Sequence, residues 1–431
     1  MRNLTFFLIL YLAAFHLKIS YAQEKNDSEG NQPEWIALGI TESPATRQAV
    51  TWRSSKNTED GEAQIIVETH DINLNNIHHP QTVKATSQIY NDYGTEKNYH
   101  RAIFSDLKSN TRYLYRVGNN GCWSEWFQFK TARQESDPSF SLVYFGDAQY
   151  GLNSLYPRVI RQAIMKVPDA SFLIFAGDLT GNATEKEFDD FFKAGDWILA
   201  SKPVAPVPDG HEYRENAKGE KRAELTTLWN HLFYFPGSAP EELNKNGSYY
   251  FDYQNARFIM INSFDFLNAG SEKKMKYKTW LESLLSGNTQ KWTIVVHHIP
   301  LYPIAARREK VDSWYNLLKP LYDQYKVDLV LSGHDHGYAR GGIESGGKER
   351  KRINGPVYVV SVAGPNMYEL ANREWYDRII ANTQLFQHIR FSENQIQFRT
   401  YDATGSLSDE FLIKKRSHEK MFVDRAPAAM E

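Results

Sequence analysis

Cysteine is almost absent from this chain, whose 431 residues include only Cys122. A disulfide framework and a metal cluster held by several thiolates are therefore both excluded. A lone cysteine with no evident histidine partner is also weak evidence for a nucleophile. We interpret Cys122 as a structural residue.

An excess of charge of one sign is also missing. The 50 basic side chains nearly balance the 52 acidic ones, and the net charge is −2. Nucleic acid is therefore not expected as an obligate partner, because binding that is driven by counterion release needs a basic face. A net charge close to zero does not exclude a local basic pocket.

Long hydrophobic runs are confined to the N-terminus. A basic start at Arg2 precedes an almost wholly apolar stretch at 4–17, and Ser20-Tyr21-Ala22 fits a small-x-small cleavage site. The run is too short for a comfortable transmembrane helix, and no other stretch approaches spanning length. The sequence predicts a signal peptide at 1–22, export to the periplasm or the extracellular space, and no transmembrane segment.

A small domain of strands follows a polar linker at 23–33. Residues 34–132 show short alternating runs that are separated by turn clusters, and no helical period survives there. This pattern predicts an all-β sandwich. The run from Leu107 to Tyr113 resembles the tyrosine-corner region of fibronectin type III domains. The predicted strands are 35–39, 49–53, 63–68, 99–104, 111–117 and 126–131.

A larger domain is predicted at 138–415, with a loose tail at 416–431. Strands and helices alternate along it, which indicates an α/β layered fold. The predicted helices are 156–167, 185–199, 273–285 and 311–325. The predicted strands are 139–145, 171–176, 249–253, 257–262, 292–296, 329–332, 357–362, 387–391 and 395–400.

Carboxylates follow two consecutive strands of the larger domain. Asp147 comes after Gly146 at the end of one strand, and Asp178 comes after Gly177 at the end of the next. The intervening segment has the length of one βαβ unit, about thirty residues. Both carboxylates should then emerge at the same carboxyl edge of the sheet, where two Gly-Asp pairs can hold a shared cation.

Histidines repeat this pattern at later strand ends. His298 closes the strand at 292–296 and is followed by Ile299-Pro300, while His334 and His336 follow the strand at 329–332. The last two are two residues apart, so they point to one side on an extended segment. Imidazole and carboxylate donors without thiolate suit Zn, Mn or Fe. The joint pattern is far more specific than any single residue, which alone is more often a turn or structural residue.

The order of these motifs resembles that of the calcineurin-like metallophosphoesterases, and the sandwich in front of them resembles the purple acid phosphatase arrangement. The family fold consists of two packed mixed sheets flanked by helices. The matching elements are Gly146-Asp147-Ala148-Gln149, Gly177-Asp178, Asp209-Gly210-His211-Glu212, His298-Ile299-Pro300 and Gly333-His334-Asp335-His336.

The resemblance implies two divalent or trivalent metal ions, which are Fe, Mn or Zn. One metal would be held by Asp147, Gln149, Asp178 and His336, and the other by Asp178 as a bridge, His298 and His334. A metal-bridging hydroxide would attack phosphorus in line. His211 would act as the catalytic donor to the phosphoryl oxygen or the leaving group, and His297 would lie beside the metals. Substrate contacts are expected at Tyr150, Asn182, Tyr302 and Arg307; Arg307 and Arg308 equally fit a solvated helix entrance.

Three positions depart from the family pattern. Gln149 stands where many members have His, and its side-chain oxygen could still bind a metal. Gly181 stands where purple acid phosphatases have the tyrosine that gives them their colour. Gly210 stands where an Asn ligand is expected, so either Asp209 or water would have to fill that position.

These features predict an exported phosphohydrolase that acts on a small phosphomonoester or phosphodiester. One alternative is a family member that is weakened at the second metal, which binds phosphate-bearing ligands with little turnover. Another is a secreted glycan-binding or adhesion protein. That alternative predicts an exposed aromatic platform on the sandwich and no metal in the larger domain.

Overall fold

The structure is a computed structural model that describes residues 32–58, 60–70, 73–74, 77–92, 94–119, 121–134, 139–214, 224–342, 350–416 and 419–427. The predicted signal peptide and the linker up to residue 31 lie outside these residues. No helix in the described part combines the length and the apolar character that crossing a lipid bilayer would require.

The N-terminal unit is all-β, as predicted, and consists of two facing sheets. Between them lies an apolar core that includes Trp52, Ile65 and Tyr115. The first sheet contains β1 (Glu34–Gly39), β2 (Gln48–Ser55), β5 (Thr86–Asp92) and β6 (Thr95–Phe104). The second contains β3 (Glu62–Val67), β4 (Gln81–Lys84), β7 (Arg112–Asn119), β8 (Cys122–Trp123) and β9 (Phe127–Lys130). Of these, β4, β5 and β8 were not predicted.

The first sheet of the larger domain continues the first sheet of the sandwich. Strand β1 pairs in parallel with a strand of the larger domain through Gly39 and Val204, so twelve strands form one mixed sheet. Its order is β20-β26-β25-β24-β23-β10-β11-β12-β1-β2-β6-β5. The added strands are β10 (Phe140–Phe145), β11 (Phe172–Ala176), β12 (Val204–Val207), β20 (Arg350–Arg352), β23 (Leu385–Phe391), β24 (Gln395–Asp402), β25 (Leu407–Arg416) and β26 (Glu419–Asp424).

A second mixed sheet of seven strands packs against the first. Its order is β15-β16-β17-β18-β21-β19-β22. The strands are β15 (Tyr249–Tyr253), β16 (Ala256–Ile261), β17 (Trp292–His297), β18 (Leu329–Ser332), β19 (Tyr338–Gly341), β21 (Val357–Val360) and β22 (Tyr376–Ile380). A separate hairpin pairs β13 (Tyr213–Arg214) with β14 (Glu224–Leu225).

Helices cover the outer faces of both sheets. Alternate residues of β10 face opposite ways: Leu142 packs in the core between the sheets, while Val143 packs against the first two helices. The predicted arrangement of two mixed sheets flanked by helices is therefore confirmed. The helices are α1 (Tyr156–Lys166), α2 (Glu185–Gly195), α3 (Trp197–Ser201), α4 (Trp229–Leu232), α5 (Glu241–Lys245), α6 (Ser263–Asn268), α7 (Ser271–Ser286) and α8 (Asp312–Gln324).

Two sequence expectations were wrong. The helix predicted at 185–199 is divided, because Asp196 takes a positive φ of 41° and separates α2 from α3. The tail predicted at 416–431 contains β26, which pairs along its length with β25. A buried ion pair holds this strand: Lys420 lies 3.4 Å from Asp328, whose side chain is fully buried.

Candidate metal centre

The two Gly-Asp pairs lie at the same edge of the first sheet. Strands β10 and β11 run parallel with Phe145 opposite Phe175, and Asp147 and Asp178 each lie two residues past the end of their strand. Gly177 has a φ of 88°, and a Cβ placed there would lie 2.6 Å from Nδ1 of His298. The glycine therefore supplies both the turn and the room for an imidazole.

The histidines come from the second sheet. His298 directly follows β17, and His334 and His336 follow β18, which is the parallel neighbour of β17. The spacing of His334 and His336 suggested an extended segment, but the structure shows that the segment is not extended. Both have a positive φ, 79° at His334 and 46° at His336, because the chain turns sharply after Ser332. Such strained backbone is common at functional sites.

One group of donors forms around Asp147. Its Oδ1 lies 3.3 Å from Nε2 of His336. The Nδ1–H of His336 donates to the carbonyl of Asn366 over 3.0 Å, which leaves Nε2 as the nitrogen available to a metal. Nε2 of Gln149 lies 3.2 Å from Oδ2 of Asp178 and 3.1 Å from Nε2 of His336. A half-turn of the amide exchanges this nitrogen with the oxygen that would bind a metal.

A second group forms around Asp178. Donor atoms of Asp178, His298 and His334 all lie within 4.8 Å of one another. Nε2 of His298 is 3.0 Å from Oδ2 of Asp178. The Nδ1–H of His298 donates to the carbonyl of Ala176 over 2.6 Å, so this imidazole too presents Nε2 to the carboxylate. Asp178 thus belongs to both groups, as expected of a bridging ligand.

The chemistry of these donors fits a pair of metal ions. Two buried atoms have no hydrogen-bond partner, namely Oδ1 of Asp147 and Oε1 of Gln149. Burial without a partner is costly for such atoms unless something else satisfies them. Burial opposes charge on His298, but Asp178, Asp209 and Asp147 together raise the pKa of its imidazole well above the usual value. A cation is the partner that this cluster of carboxylates lacks.

The segment from Asp209 to Glu212 forms a short 3₁₀ turn beside this centre. Both carboxylate oxygens of Asp209 are engaged, one by the hydroxyl of Ser263 and the other by the N–H of Gly210. His211 donates its Nδ1–H to the carbonyl of Gly181. Its Nε2 then faces the centre, 3.8 Å from Oδ2 of Asp178.

Glu212 was quoted within its motif but given no role by sequence reasoning. Its carboxylate accepts the N–H groups of Asp178, Leu179, Thr180 and Asp209 over 2.8–3.2 Å. Burial, reinforced by the nearby charge of Asp178, raises its pKa to about 8. Glu212 therefore ties the loop of the bridging aspartate to the loop of His211. Its position directly after His211 in the quoted motif is the signal that could have pointed to this role.

Sequence reasoning also missed the contacts of three residues on the other side of the centre. Asp335 is buried and accepts the N–H groups of Ile304 and Ala305, which fixes the loop after β17. The guanidinium of Arg308 contacts Nε2 of His334 and lies 3.3 Å from Oδ1 of Asp335. The ring of Tyr368 stacks on His336 with centroids 4.0 Å apart. The Gly-His-x-His motif could have pointed to Asp335, whereas nothing in the local sequence indicates Tyr368.

The predicted substrate residues are dispersed. Tyr150 is exposed and lies edge-on to His211 at a centroid distance of 6.3 Å. Arg307 lies over the ring of Tyr368, 4.1 Å from its centroid. Asn182 instead bonds to Glu187 at the start of α2. The fourth, Tyr302, packs among Tyr315, Tyr358 and Trp375.

Two family profiles match this chain. The profile "Purple acid Phosphatase, N-terminal domain" matches residues 33–131, and "Calcineurin-like phosphoesterase" matches residues 102–338. A solved structure titled "Structure of PhoD" superposes with a TM-score of 0.65 over 93% of each chain at 13% sequence identity. At that identity the superposition shows a shared fold.

Three curated relatives are named phosphatases, and two of the three are named acid phosphatases. Acid phosphatase type 7 of Homo sapiens is 26% identical over 61% of this chain and 63% of its own length. Purple acid phosphatase 21 of Arabidopsis thaliana is 26% identical over 67% of this chain and 63% of its own length. Phosphoenolpyruvate phosphatase of Allium cepa is 25% identical over 84% of this chain and 72% of its own length. The chain thus spans less than two thirds of the first two relatives.

Proposed function

Because the chain belongs to the calcineurin-like phosphoesterase family, we propose that it is an exported metal-dependent phosphohydrolase that cleaves phosphomonoesters or phosphodiesters. The observation that carries this proposal is the position of Asp178, which lies 3.2 Å from Gln149 in one donor group and 3.0 Å from His298 in the other. A carboxylate shared in this way is suited to bridge two cations.

Each proposed metal has its own set of ligands. Asp147, Gln149 and His336 would hold one, His298 and His334 would hold the other, and Asp178 would bind both. Two cations bound there would supply the activated water, the expected metal-bridging hydroxide, and would stabilise negative charge on the phosphoryl oxygens. Oxygen and nitrogen donors without thiolate favour Fe, Mn or Zn.

His211 is the proposed catalytic residue of the chain itself. Its Nδ1–H is committed to the carbonyl of Gly181, so Nε2 is the atom that can carry and release a proton toward the substrate. The N–H of His211 also donates to Oδ1 of Asp178 over 3.3 Å. The imidazole is thereby held beside the bridging carboxylate without being one of the proposed ligands.

The proposal also covers the fold of the sandwich and the export of the chain. The hydroxyl of Tyr113 accepts the N–H of Lys108 over 2.8 Å, which supports a fibronectin type III-like tyrosine corner. Export rests on the predicted signal peptide at 1–22. The expected substrate is a small phosphorylated molecule.

Two measurements test the proposal. Purified protein is analysed for bound Fe, Mn and Zn, and hydrolysis of an aryl phosphate and of a diaryl phosphate is measured before and after chelation. We expect close to two metals per chain, loss of hydrolysis on chelation and recovery on readdition. Asp178→Ala, which removes the proposed shared ligand, should lower both metal content and hydrolysis. Asp312→Ala, a change at an exposed carboxylate on α8, is its matched control. A metal-free protein that hydrolyses neither ester would overturn the proposal.

A second candidate is a metal-weakened member that binds phosphate ligands with little turnover. The specific observation in its favour is Gly210, which offers no side chain to the second metal. This candidate predicts substoichiometric metal and phosphate binding without hydrolysis. The glycan-binding alternative lacks such support. In the described part of the sandwich no aromatic side chain is among the large exposed apolar residues, and Trp123 and Trp126 both pack on Arg116.

A further inference from the structure

A basic cleft lies between the sandwich and the larger domain, away from the metal centre. We call it the interdomain cleft; its volume is about 700 Å³. Its wall includes Phe140 and Ser141, which begin β10, whereas Asp147 follows the other end of that strand. A six-residue strand is about 20 Å long, so the interdomain cleft is separate from the proposed active site.

The charges of the interdomain cleft are unbalanced, although those of the whole chain nearly cancel. Asp169 is the one acidic side chain among the described residues that line it. Five basic side chains face this single carboxylate, and they come from both domains. They are Arg112, Lys130 and Arg133 on the sandwich side and Lys202 and Arg390 on the other.

Three of these cations have no acidic partner in the part of the chain that the structure describes. Arg112, Lys130 and Arg390 form no ion pair with any acidic side chain in the described ranges. Partial burial lowers the pKa of Lys130, and the charges of Arg133 and Arg112 lower it further. For Lys202, burial and Arg112 lower the pKa, although Asp169 opposes them. Several like charges held together around a single acidic side chain favour the binding of an anion.

Uncharged groups of the wall also suit a ligand. Ser141 is 5% exposed, and its hydroxyl has no hydrogen-bond partner. A buried hydroxyl is normally paired, so Ser141 is an unused donor within the wall of the interdomain cleft. Trp197 is 49% exposed on the same wall and offers a flat apolar face.

We infer that the interdomain cleft binds a small polyanion with two or more phosphate groups, which bridges the sandwich and the larger domain. Guanidinium groups hold phosphate oxygens in pairs, which suits Arg112 and Arg390. The cations surround a cavity of the size of a small-molecule site and form no stripe along the surface. A compact oligophosphate therefore fits better than a nucleic acid or a polysaccharide chain.

The test separates this site from the metal centre. Methylenebisphosphonate, which has two phosphonate groups and a bridge that resists hydrolysis, is titrated calorimetrically into the full chain and into four variants. We expect Asp178→Ala to leave binding at the cleft intact. Lys130→Glu should weaken it at least tenfold while aryl phosphate hydrolysis stays unchanged. Arg390→Gln, a second variant, should weaken it too, and Lys84→Glu on exposed β4 is the matched control for charge.

Each contrary result overturns the inference. Binding that disappears with Asp178→Ala and survives Lys130→Glu would place the anion at the metal centre. No measurable binding to the unaltered chain would leave the cleft without this ligand. Binding of heparin or DNA, together with none of the bisphosphonate, would identify a macromolecular polyanion as the occupant. Because the titration needs no turnover, its failure is distinguishable from a failure of the proposed phosphohydrolase activity.

Discussion

The hydroxyl of Ser263 donates a hydrogen bond to Oδ2 of Asp209 over 2.6 Å. Oδ1 of the same carboxylate accepts the N–H of Gly210 over 2.7 Å. Both oxygens thus accept hydrogen bonds from the protein, in contrast to Oδ1 of Asp147, which is buried and accepts none. This difference argues that Asp209 shapes the turn and does not replace the amide ligand missing at Gly210.

Gly210→Asn should strengthen the second metal site. The new amide oxygen would add a ligand to Asp178, His298 and His334, while three ligands plus water already hold many catalytic metals. We expect the variant to reach saturation at a lower metal concentration and to hydrolyse an aryl phosphate at least as fast. Unchanged or reduced metal affinity would show that another group, such as Asp209, already fills the position.

Asp178→Ala should be the most damaging single change at the centre. It removes a ligand from both proposed metals, whereas His336→Ala removes one from a single metal. Loss of a supporting group around a metal typically costs about 10–100-fold in affinity or activity, so loss of the bridge should exceed about 100-fold. Metal content and turnover number are measured together. Equal effects of the two substitutions would argue against a shared carboxylate.

Protein loaded with iron should lack a strong visible charge-transfer band. Gly181 stands at the family's tyrosine position, and a Cβ placed there would lie 3.0 Å from Cε1 of Tyr150, so the space is already occupied. The absorption spectrum of the iron-loaded chain is the measurement. A purple solution would contradict the prediction. Tyr150 would then be the first candidate ligand, and Tyr150→Phe should remove the colour.

Arg308→Gln should raise the KM for a phosphate ester more than it changes kcat. The guanidinium contacts Nε2 of His334 at the rim of the centre, where it can attract an anionic substrate. A hydrogen bond to a charged group is worth about 1.5–3 kcal/mol, so KM should rise by roughly tenfold or more. Arg352→Gln, on the exposed edge strand β20, is the control. A fall in kcat alone would indicate that Arg308 only supports His334.

Acid should destabilise the sandwich through His100. Its imidazole is buried between the hydroxyls of Ser54 and Ser87, each 2.7 Å away, and burial lowers its pKa to about 4. Between pH 6.5 and pH 4 the unfolded chain therefore binds a proton that the folded chain does not, so the free energy of unfolding falls as the pH falls.

His100→Gln provides the measurement of this effect. From pH 7 to pH 5 the unaltered chain should lose roughly 2 kcal/mol more unfolding free energy than the variant, as chemical denaturation can show. Other buried histidines, such as His388, affect both proteins equally and cancel. Parallel pH profiles for the two proteins would refute the assignment.

The strand ends that carry Asp147, Asp178 and His298 could be predicted from the sequence. Each of the two aspartates follows a short apolar run and a glycine, and the histidine follows an apolar run and comes two residues before a proline. Strand β12 could not. Its four residues include Pro206, which argues against a central strand, yet β12 lies between β11 and β1. Tertiary packing overrides the local preference there, and all four residues are buried.

Contacts between distant segments were also beyond local reasoning. Tyr368 meets His336, and Arg308 meets His334, only because loops from different strands converge at one edge. Strand β26 lies in the segment that was predicted to be a loose tail. In the fold, Asp424 of β26 lies 2.8 Å from the buried Arg340, and the buried Lys420 lies near Asp328, so both charges pair with partners from distant segments.

Because one twelve-stranded sheet runs through both units, the sandwich packs directly against the larger domain. Trp35 of β1 stacks on Phe192 of α2 with centroids 5.3 Å apart, and Tyr115 of β7 donates its hydroxyl hydrogen to the carbonyl of Ala200. A truncated chain that began after residue 138 would uncover this aromatic face and turn apolar β12 into an open edge, which favours aggregation. The joint between the sandwich and the larger domain is therefore no place to cut the chain.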